Sequence, residues 1–476
     1  MAKTHKTIFG TTEKSNFILN MTNDQFNKTA SVMFSAGFIL IFIASAVAEI
    51  MANAPVSEAT YDWKIIPSVG LGIAGLLAVS VFIIALIKQT LDKKQIAAAI
   101  IALVLTVCMY ISYINAVSTV LDYNAFLGYR YGRYEGLMVL LSYVFMFIGG
   151  MTINSRKSVN SIFRIFSLIT LLECIWSALQ FIPSFPSLYY KMPYLVKAPM
   201  LPSGTSGSPL FLATLLTAGL AVSVFGAMHD RSGGFSVIYR ITVLPAAFFL
   251  VKTQCLIGYV SAAVILFAAL ADFIKTGKKE KSGSSAVTLL ITGYAAAAVF
   301  MMIKGFGIYD GASLWQDGCR RLGAFGQYST AVEGTFDLND LTALYPYLWG
   351  KATEIISHFP VTGIGPDAFV FSQRLGSFND VPLSVDRAYN EFLFYAATLG
   401  IPSAVSLAAV FFYSAANGVK SALKNKNWIF KASMTVALLY IVTSFITNST
   451  AAVTPFIWFI FGICCCTFRD SEETDK

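Results

Sequence analysis

Apolar runs of roughly 20 residues recur along the chain with short polar breaks between them, and each is long enough to cross a hydrocarbon core of about 30 Å. They lie near 31–51, 65–87, 96–120, 135–153, 161–182, 208–227, 237–251, 254–272, 284–303, 389–411, 428–447 and 453–468. The seventh and eighth form a tight pair broken at Lys252-Thr-Gln254. The pattern predicts an all-α polytopic bundle of about twelve spans. Alternating segments of about ten residues, the mark of a membrane β-barrel, are not seen. The domain reading is a tail over 1–30, a bundle of nine spans over 31–303, a large loop over 304–388, three spans over 389–468 and a tail over 469–476.

Composition agrees with the pattern. Of 476 residues, 56% are hydrophobic and 13% charged, against about 25% charged in soluble domains. Residues 1–30 are polar and basic, without the apolar core of a signal peptide. The net charge of +8 is read as the positive bias of cytosolic loops, not as nucleic-acid affinity. Most of the 34 Lys and Arg residues fall in 1–30, 88–95, 154–164, 228–240, 273–283, 417–431 and 469–476. An even span count and this bias predict cytosolic termini and an extracytoplasmic 304–388 loop. The run Lys275, Lys278, Lys279, Lys281 then reads as a cytosolic anchor. Of seven cysteines, Cys319 alone lies in the long loop, so no disulfide framework is available there. Cys464, Cys465 and Cys466 read as packing, because consecutive helix positions face different ways.

No Walker loop, His-Glu-x-x-His or Asp-x-Asp pair is present. Of three histidines, only His358 is expected outside. The outer segments instead carry Arg130, Arg133, Arg320, Arg321, Arg374 and Arg387, with Lys191, Lys197, Lys252, Lys304 and Lys351. Guanidinium stays charged and pairs bidentately with phosphate oxygens, so this set suits a lipid-linked pyrophosphate. Taken singly, each outer arginine is more simply a surface or interfacial charge. Arg130 and Arg133 sit in Gly128-Tyr-Arg-Tyr-Gly-Arg-Tyr-Glu-Gly136, where Glu135 can orient an arginine; the plainer reading is an aromatic-belt turn. Glu173, mid-way along the fifth span, is costly there and needs a partner. It reads as a polar lock or cavity lining, with Gln180 lining the same interior.

Four segments in order resemble the O-antigen ligase/polymerase family of bacterial membrane glycosyltransferases. Tyr131-Gly-Arg-Tyr-Glu-Gly-Leu137 with Leu141-Ser-Tyr143 is the first, and Pro202-Ser-Gly-Thr-Ser-Gly-Ser-Pro-Leu-Phe-Leu-Ala213 the second. Trp349 through Pro360-Val-Thr-Gly-Ile-Gly-Pro-Asp-Ala-Phe369 is the third. Asp386-Arg-Ala-Tyr-Asn-Glu-Phe-Leu393 with Thr398-Leu-Gly-Ile401 is the fourth. The resemblance implies an all-helical glycosyltransferase of the C type. It would move a glycan, without metal or cofactor, from a polyprenyl pyrophosphate to an acceptor hydroxyl on a glycan, lipid or protein. Fixed arginines would neutralise the leaving pyrophosphate, and a base near the acceptor would complete the displacement.

The implied pyrophosphate contacts are Arg130, Arg133, Lys252 and one of Arg320, Arg321 or Arg387, with Glu135 and Glu173 in support. Tyr389, Asn390 and Glu391 would border the acceptor. The chain departs from the family at sensitive places. Tyr389 stands where the family has histidine, Tyr345 and Leu256 where it has arginine, and Ser208-Pro209-Leu210 in place of Asn-Pro-Asn. A neutral tyrosine, with an ordinary pKa near ~10, is a poor base. Three readings stay open: Tyr389 positions the acceptor while another group handles the proton, His358 acts instead, or the chain is an inactive scaffold. A lipid-linked oligosaccharide flippase is the rival from another class. It predicts two matching halves, whereas the spans before and after the long loop are unequal.

Overall fold

A computed structural model of the chain describes residues 17–51, 63, 65–116, 123–129, 133–182, 202–231, 234–276, 281–304, 341–371, 387–425 and 427–469. After a one-turn helix at Phe17–Asn20 come α1 (Asn23–Met51), α2 (Ile65–Ile87) and α3 (Lys93–Ile114). A two-stranded antiparallel hairpin follows, β1 (Tyr123–Asn124) against β2 (Gly128–Tyr129). Next are α4 (Leu137–Gly150), α5 (Arg156–Leu179), α6 (Pro209–His229), α7 (Val237–Lys252), α8 (Leu256–Thr276) and α9 (Lys281–Lys304). The last group is α10 (Leu341–His358), α11 (Glu391–Leu399), α12 (Ile401–Asn425), α13 (Trp428–Thr443) and α14 (Thr454–Cys465). Among the described residues nine helices are long and apolar enough to cross a membrane: α1, α2, α3, α5, α6, α7, α8, α9 and α12. The apolar helices α4, α13 and α14 are shorter.

Helix starts follow local chemistry. Asp92 and Gln95 form a reciprocal capping box on α3, which satisfies two otherwise orphaned backbone donors. Ser208 caps α6 and Pro209 opens it, a position where proline's missing N–H costs nothing. Asn390 caps α11 through Leu393 N (3.1 Å), and Asn427 caps α13. Helix α6 is apolar on every side and is buried from Pro209 to Met228, as a helix without a polar stripe must be. It packs against α5, α7, α8, α9 and α13 and forms the axis of the bundle.

Loop contacts define two ends. At one, Arg469 N bonds Asn154 O, Thr467 bonds Asp92, Lys94 bonds Cys466 O, and Asp272 holds His229 and Lys431. This is the basic end. The other, the hairpin end, gathers the β1–β2 hairpin, the start of α4, residues 360–371, α11 and the 444–453 connection.

Two expectations are corrected. The apolar run over 389–411 is not one helix, because α11 stops at Leu399 and α12 starts at Ile401. Gly400 between them has φ +87°, a conformation that side chains disfavour. A Cβ there would also meet Val361 O at 2.0 Å. The third run, placed over 96–120, ends as a helix at Ile114. Part of the 304–388 loop is helical, as α10; residues 305–340 and 372–386 lie outside the described residues.

Candidate functional site

Three segments distant in sequence meet at the hairpin end. The 360–367 loop is fastened to the C-terminal end of α11. Ile364 N donates to Ala397 O (3.1 Å), Gly365 N to Thr398 O (2.9 Å), and Ile401 N to Pro360 O (2.8 Å). The first two satisfy carbonyls in the last turn of α11 that would otherwise be orphaned, and the third gives the opening N–H of α12 a partner. The loop thereby presents Asp367 to the segment before α4. Asp367 Oδ2 accepts from Tyr129 N (2.9 Å) and Glu135 N (3.3 Å). Gly128 is required beside it, since a Cβ would meet Asp367 Oδ2 at 2.6 Å and the residue has φ +107°. Tyr123 Oη donates to Pro366 O (2.7 Å). Burial, and then the Asp367 charge, push the Tyr123 phenol well above its ordinary range, which keeps it a donor.

Arg387 lies at the meeting point, 1% exposed. Its Nη2 is 2.5 Å from Glu135 Oε2 and 3.6 Å from Asp367 Oδ1. The guanidinium carbon stands 4.5 Å from the Phe394 ring centroid, in reach of a cation–π contact. The other oxygen of Glu135 accepts from Ala451 N (3.0 Å), which ties the 444–453 connection into the cluster. Glu391 is fully buried. Its backbone N donates to Ser444 O (2.8 Å), and its Oε2 accepts from Tyr440 Oη (2.9 Å). Tyr143 and Tyr395 are within electrostatic reach of Arg387 and Glu135. The cluster therefore holds one guanidinium among three buried carboxylates, Glu135, Asp367 and Glu391.

Among the described residues, positive backbone φ in non-glycine residues occurs at both ends, once at the basic end in Gln89 (+52°) and four times outside it. Tyr134, Gln254, Asp367 and Tyr389 all have φ near +50° to +60°. Such conformations cost of order 1–3 kcal/mol each and persist where surrounding contacts over-determine them.

A second basic group flanks the start of α6. The Arg133 guanidinium stands 5.0 Å from the Phe211 ring, while Cys255 Sγ lies 3.9 Å from Pro209 O. Lys252, one turn before that corner, is 3% exposed, with its Nζ 5.1 Å from the Phe300 ring and 5.8 Å from that of Phe181. Glu173 accepts from Thr205 N (2.9 Å) and from Thr205 Oγ1. Gln180 binds Ser203 and Gly204. Together they fasten residues 203–205 to α5 just ahead of α6.

Of the residues singled out in the sequence, Glu135, Arg387, Tyr389, Asn390 and Glu391 belong to the first cluster. Arg133 and Lys252 belong to the second, with Glu173 beneath it. The oxygen of the Asn390 side chain caps α11. His358 is exposed at the end of α10, and its ring bonds within that helix, to Glu354 O (2.9 Å) and Ser357 Oγ (3.2 Å). Arg130, Arg320 and Arg321 lie outside the described residues. Sequence reading did not single out Asp367, Tyr440 or the Thr447-Asn448-Ser449 run. The run offered a signal, because it places polar side chains between two apolar helices.

The fold and its apolar helices define an all-α, multi-pass membrane protein. A scan against protein-family models and a search of curated proteins both find no match to this chain.

Proposed function

We propose that the chain is a membrane glycosyltransferase that passes a glycan from a polyprenyl pyrophosphate to an acceptor hydroxyl in surface-polysaccharide assembly. One observation carries this reading: Glu135, Asp367 and Arg387 come from three separate family-like segments and share one buried ion-pair cluster. The remaining family-like segment, Pro202 to Ala213, opens α6 and receives Arg133 on Phe211. In this reading α4, α13, α14 and the nine long helices give twelve spans. The basic end faces the cytosol, by the positive-inside rule, and the hairpin end faces out.

Within this reading the two basic groups divide the work. Arg133 and Lys252, beside the N-terminus of a long buried helix, face a developing diphosphate charge, which helix N-termini also favour. Arg387, neutralised by Glu135, organises the acceptor side, with Tyr389 and Glu391 following it in the chain. A scaffold without transferase activity is the second reading. It is favoured by the close Arg387–Glu135 pair and by a tyrosine at the family's histidine position.

Purified protein reconstituted with a polyprenyl-pyrophosphate glycan separates the possibilities. Glycan product is the expected result. Scrambling of the donor across vesicles without product would instead mark a flippase, and neither activity would leave the scaffold.

A further inference from the structure

The turn that carries Arg133 into α4 is fastened from two directions. From the hairpin, Leu127 O, Ala125 O and Phe126 O accept from Gly136 N (3.2 Å), Leu137 N (3.0 Å) and Met138 N (3.0 Å). These amides start α4, and no carbonyl of their own helix can reach them. The fit leaves no room for a side chain at Gly136, where a Cβ would meet Gly128 N at 2.5 Å. From the other direction, Asp367 reaches in from the 360–367 loop. One oxygen, Oδ2, accepts from Tyr129 N (2.9 Å) on the hairpin and from Glu135 N (3.3 Å) on the turn. The Asp367 side chain is thus a clasp between β2 and the turn, and it is buried.

Glu135 is held by its main chain, through Asp367, and by both side-chain oxygens, through Arg387 and Ala451 N. Tyr134, just before it, is buried and has φ +53°, so the step back to Arg133 is fixed in an uncommon conformation. The Arg133 carbonyl accepts from Ser68 Oγ (3.4 Å), and its guanidinium reaches the Phe211 ring at the start of α6. Where that guanidinium stands therefore depends on where the amide of Glu135 is held. Bonds from backbone amides to a carboxylate are the strong, charge-assisted kind.

We propose that Asp367 is a positioning residue: by clasping Tyr129 and Glu135 together, its carboxylate sets Arg133 in place for a phosphate-type anion at the start of α6. The choice of anion rests on the glycosyl-transfer reading, in which Arg133 faces a diphosphate. A role through charge alone would behave in the opposite way. A carboxylate near a diphosphate repels it, so losing the charge would tighten binding.

Calorimetric titration of the full chain in lipid nanodiscs with inorganic pyrophosphate separates the two. Asp367 has φ +58°, which suits Gly and Asn. Asp367→Gly and Asp367→Asn therefore remove the side chain, or only its charge, without new backbone strain. Asp367→Gly should bind pyrophosphate at least about tenfold more weakly, a coupling of ordinary size. Asp367→Asn keeps an oxygen for the two amides and should restore wild-type affinity or exceed it. Unchanged or tighter binding by Asp367→Gly, equal losses in both variants, or no binding by the wild type overturns the proposal. Should Asp367→Gly fold poorly, amide hydrogen exchange of wild type and Asp367→Asn still reads the clasp. Slow exchange at Tyr129 and Glu135 is expected in both proteins, and fast exchange at either amide overturns it. Binding is read without glycan transfer. Transfer by a wild type that fails this pattern would leave the transferase reading standing and remove the clasp; the pattern without transfer would do the reverse.

Discussion

Arg387 shows how a residue with an apparent ligand-binding role can be held by its own protein. It is 1% exposed and ion-paired to Glu135 at 2.5 Å. Removing one partner of a buried pair strands the other charge, at a cost of about 3–5 kcal/mol. Arg387→Ala should therefore lower the thermal unfolding temperature markedly, and adding Glu135→Gln should recover much of the loss. Equal unfolding temperatures for wild type and Arg387→Ala would mean the pair holds nothing together. Asn390 makes a different kind of statement. Its side chain caps α11, and losing a cap costs about 1 kcal/mol. Asn390→Asp, which caps equally well, should keep both stability and transfer, whereas Asn390→Ala should lose stability. Loss of transfer in Asn390→Asp at wild-type stability would instead make the amide part of the chemistry.

At the scale of elements, hydropathy located the helices well, because a membrane-crossing helix is specified by length and apolar content. It missed the break at Gly400, since α11 and the start of α12 are both apolar and only backbone geometry separates them. The pairings at the site were not legible either. Glu135 and Arg387 are 252 positions apart, and nothing in either neighbourhood names the other. What the sequence did carry was the list of segments: Glu135 and Arg387 stood out for their charge, and Asp367 lay inside a quoted segment without being singled out. The Thr447-Asn448-Ser449 run was passed over because flanking apolar residues concealed it within the connection between two spans. The Gly400 junction fastens the 360–367 loop through Ile401 N to Pro360 O. Gly400→Ala should therefore raise amide hydrogen exchange at Gly363, Ile364 and Gly365. Gly350→Ala, on α10 with nothing within 4 Å of its added Cβ, should leave exchange unchanged. Similar exchange in both variants would show that the junction does not hold the loop.

At the scale of the molecule, a buried axis in α6 separates a basic end from an end where strained loops converge on buried charges. The proposed orientation has its own test. A cysteine at exposed Ser357 should react with a membrane-impermeant maleimide added to intact cells. One at exposed Lys424 should react only after lysis; the reverse pattern would invert the bundle. The glycosyl-transfer account gives charged groups at the hairpin end a task that a scaffold would not need, and it assigns Arg133, half-buried against Phe211 at the start of α6, to the diphosphate. The most direct measurement is glycan transfer from a polyprenyl-pyrophosphate donor by purified wild type and Arg133→Ala at matched amounts of folded protein. The account predicts product from the wild type and at least a tenfold loss in the variant, about 1.4 kcal/mol of transition-state stabilisation. Equal turnover by the two proteins, or no product from the wild type, would contradict it.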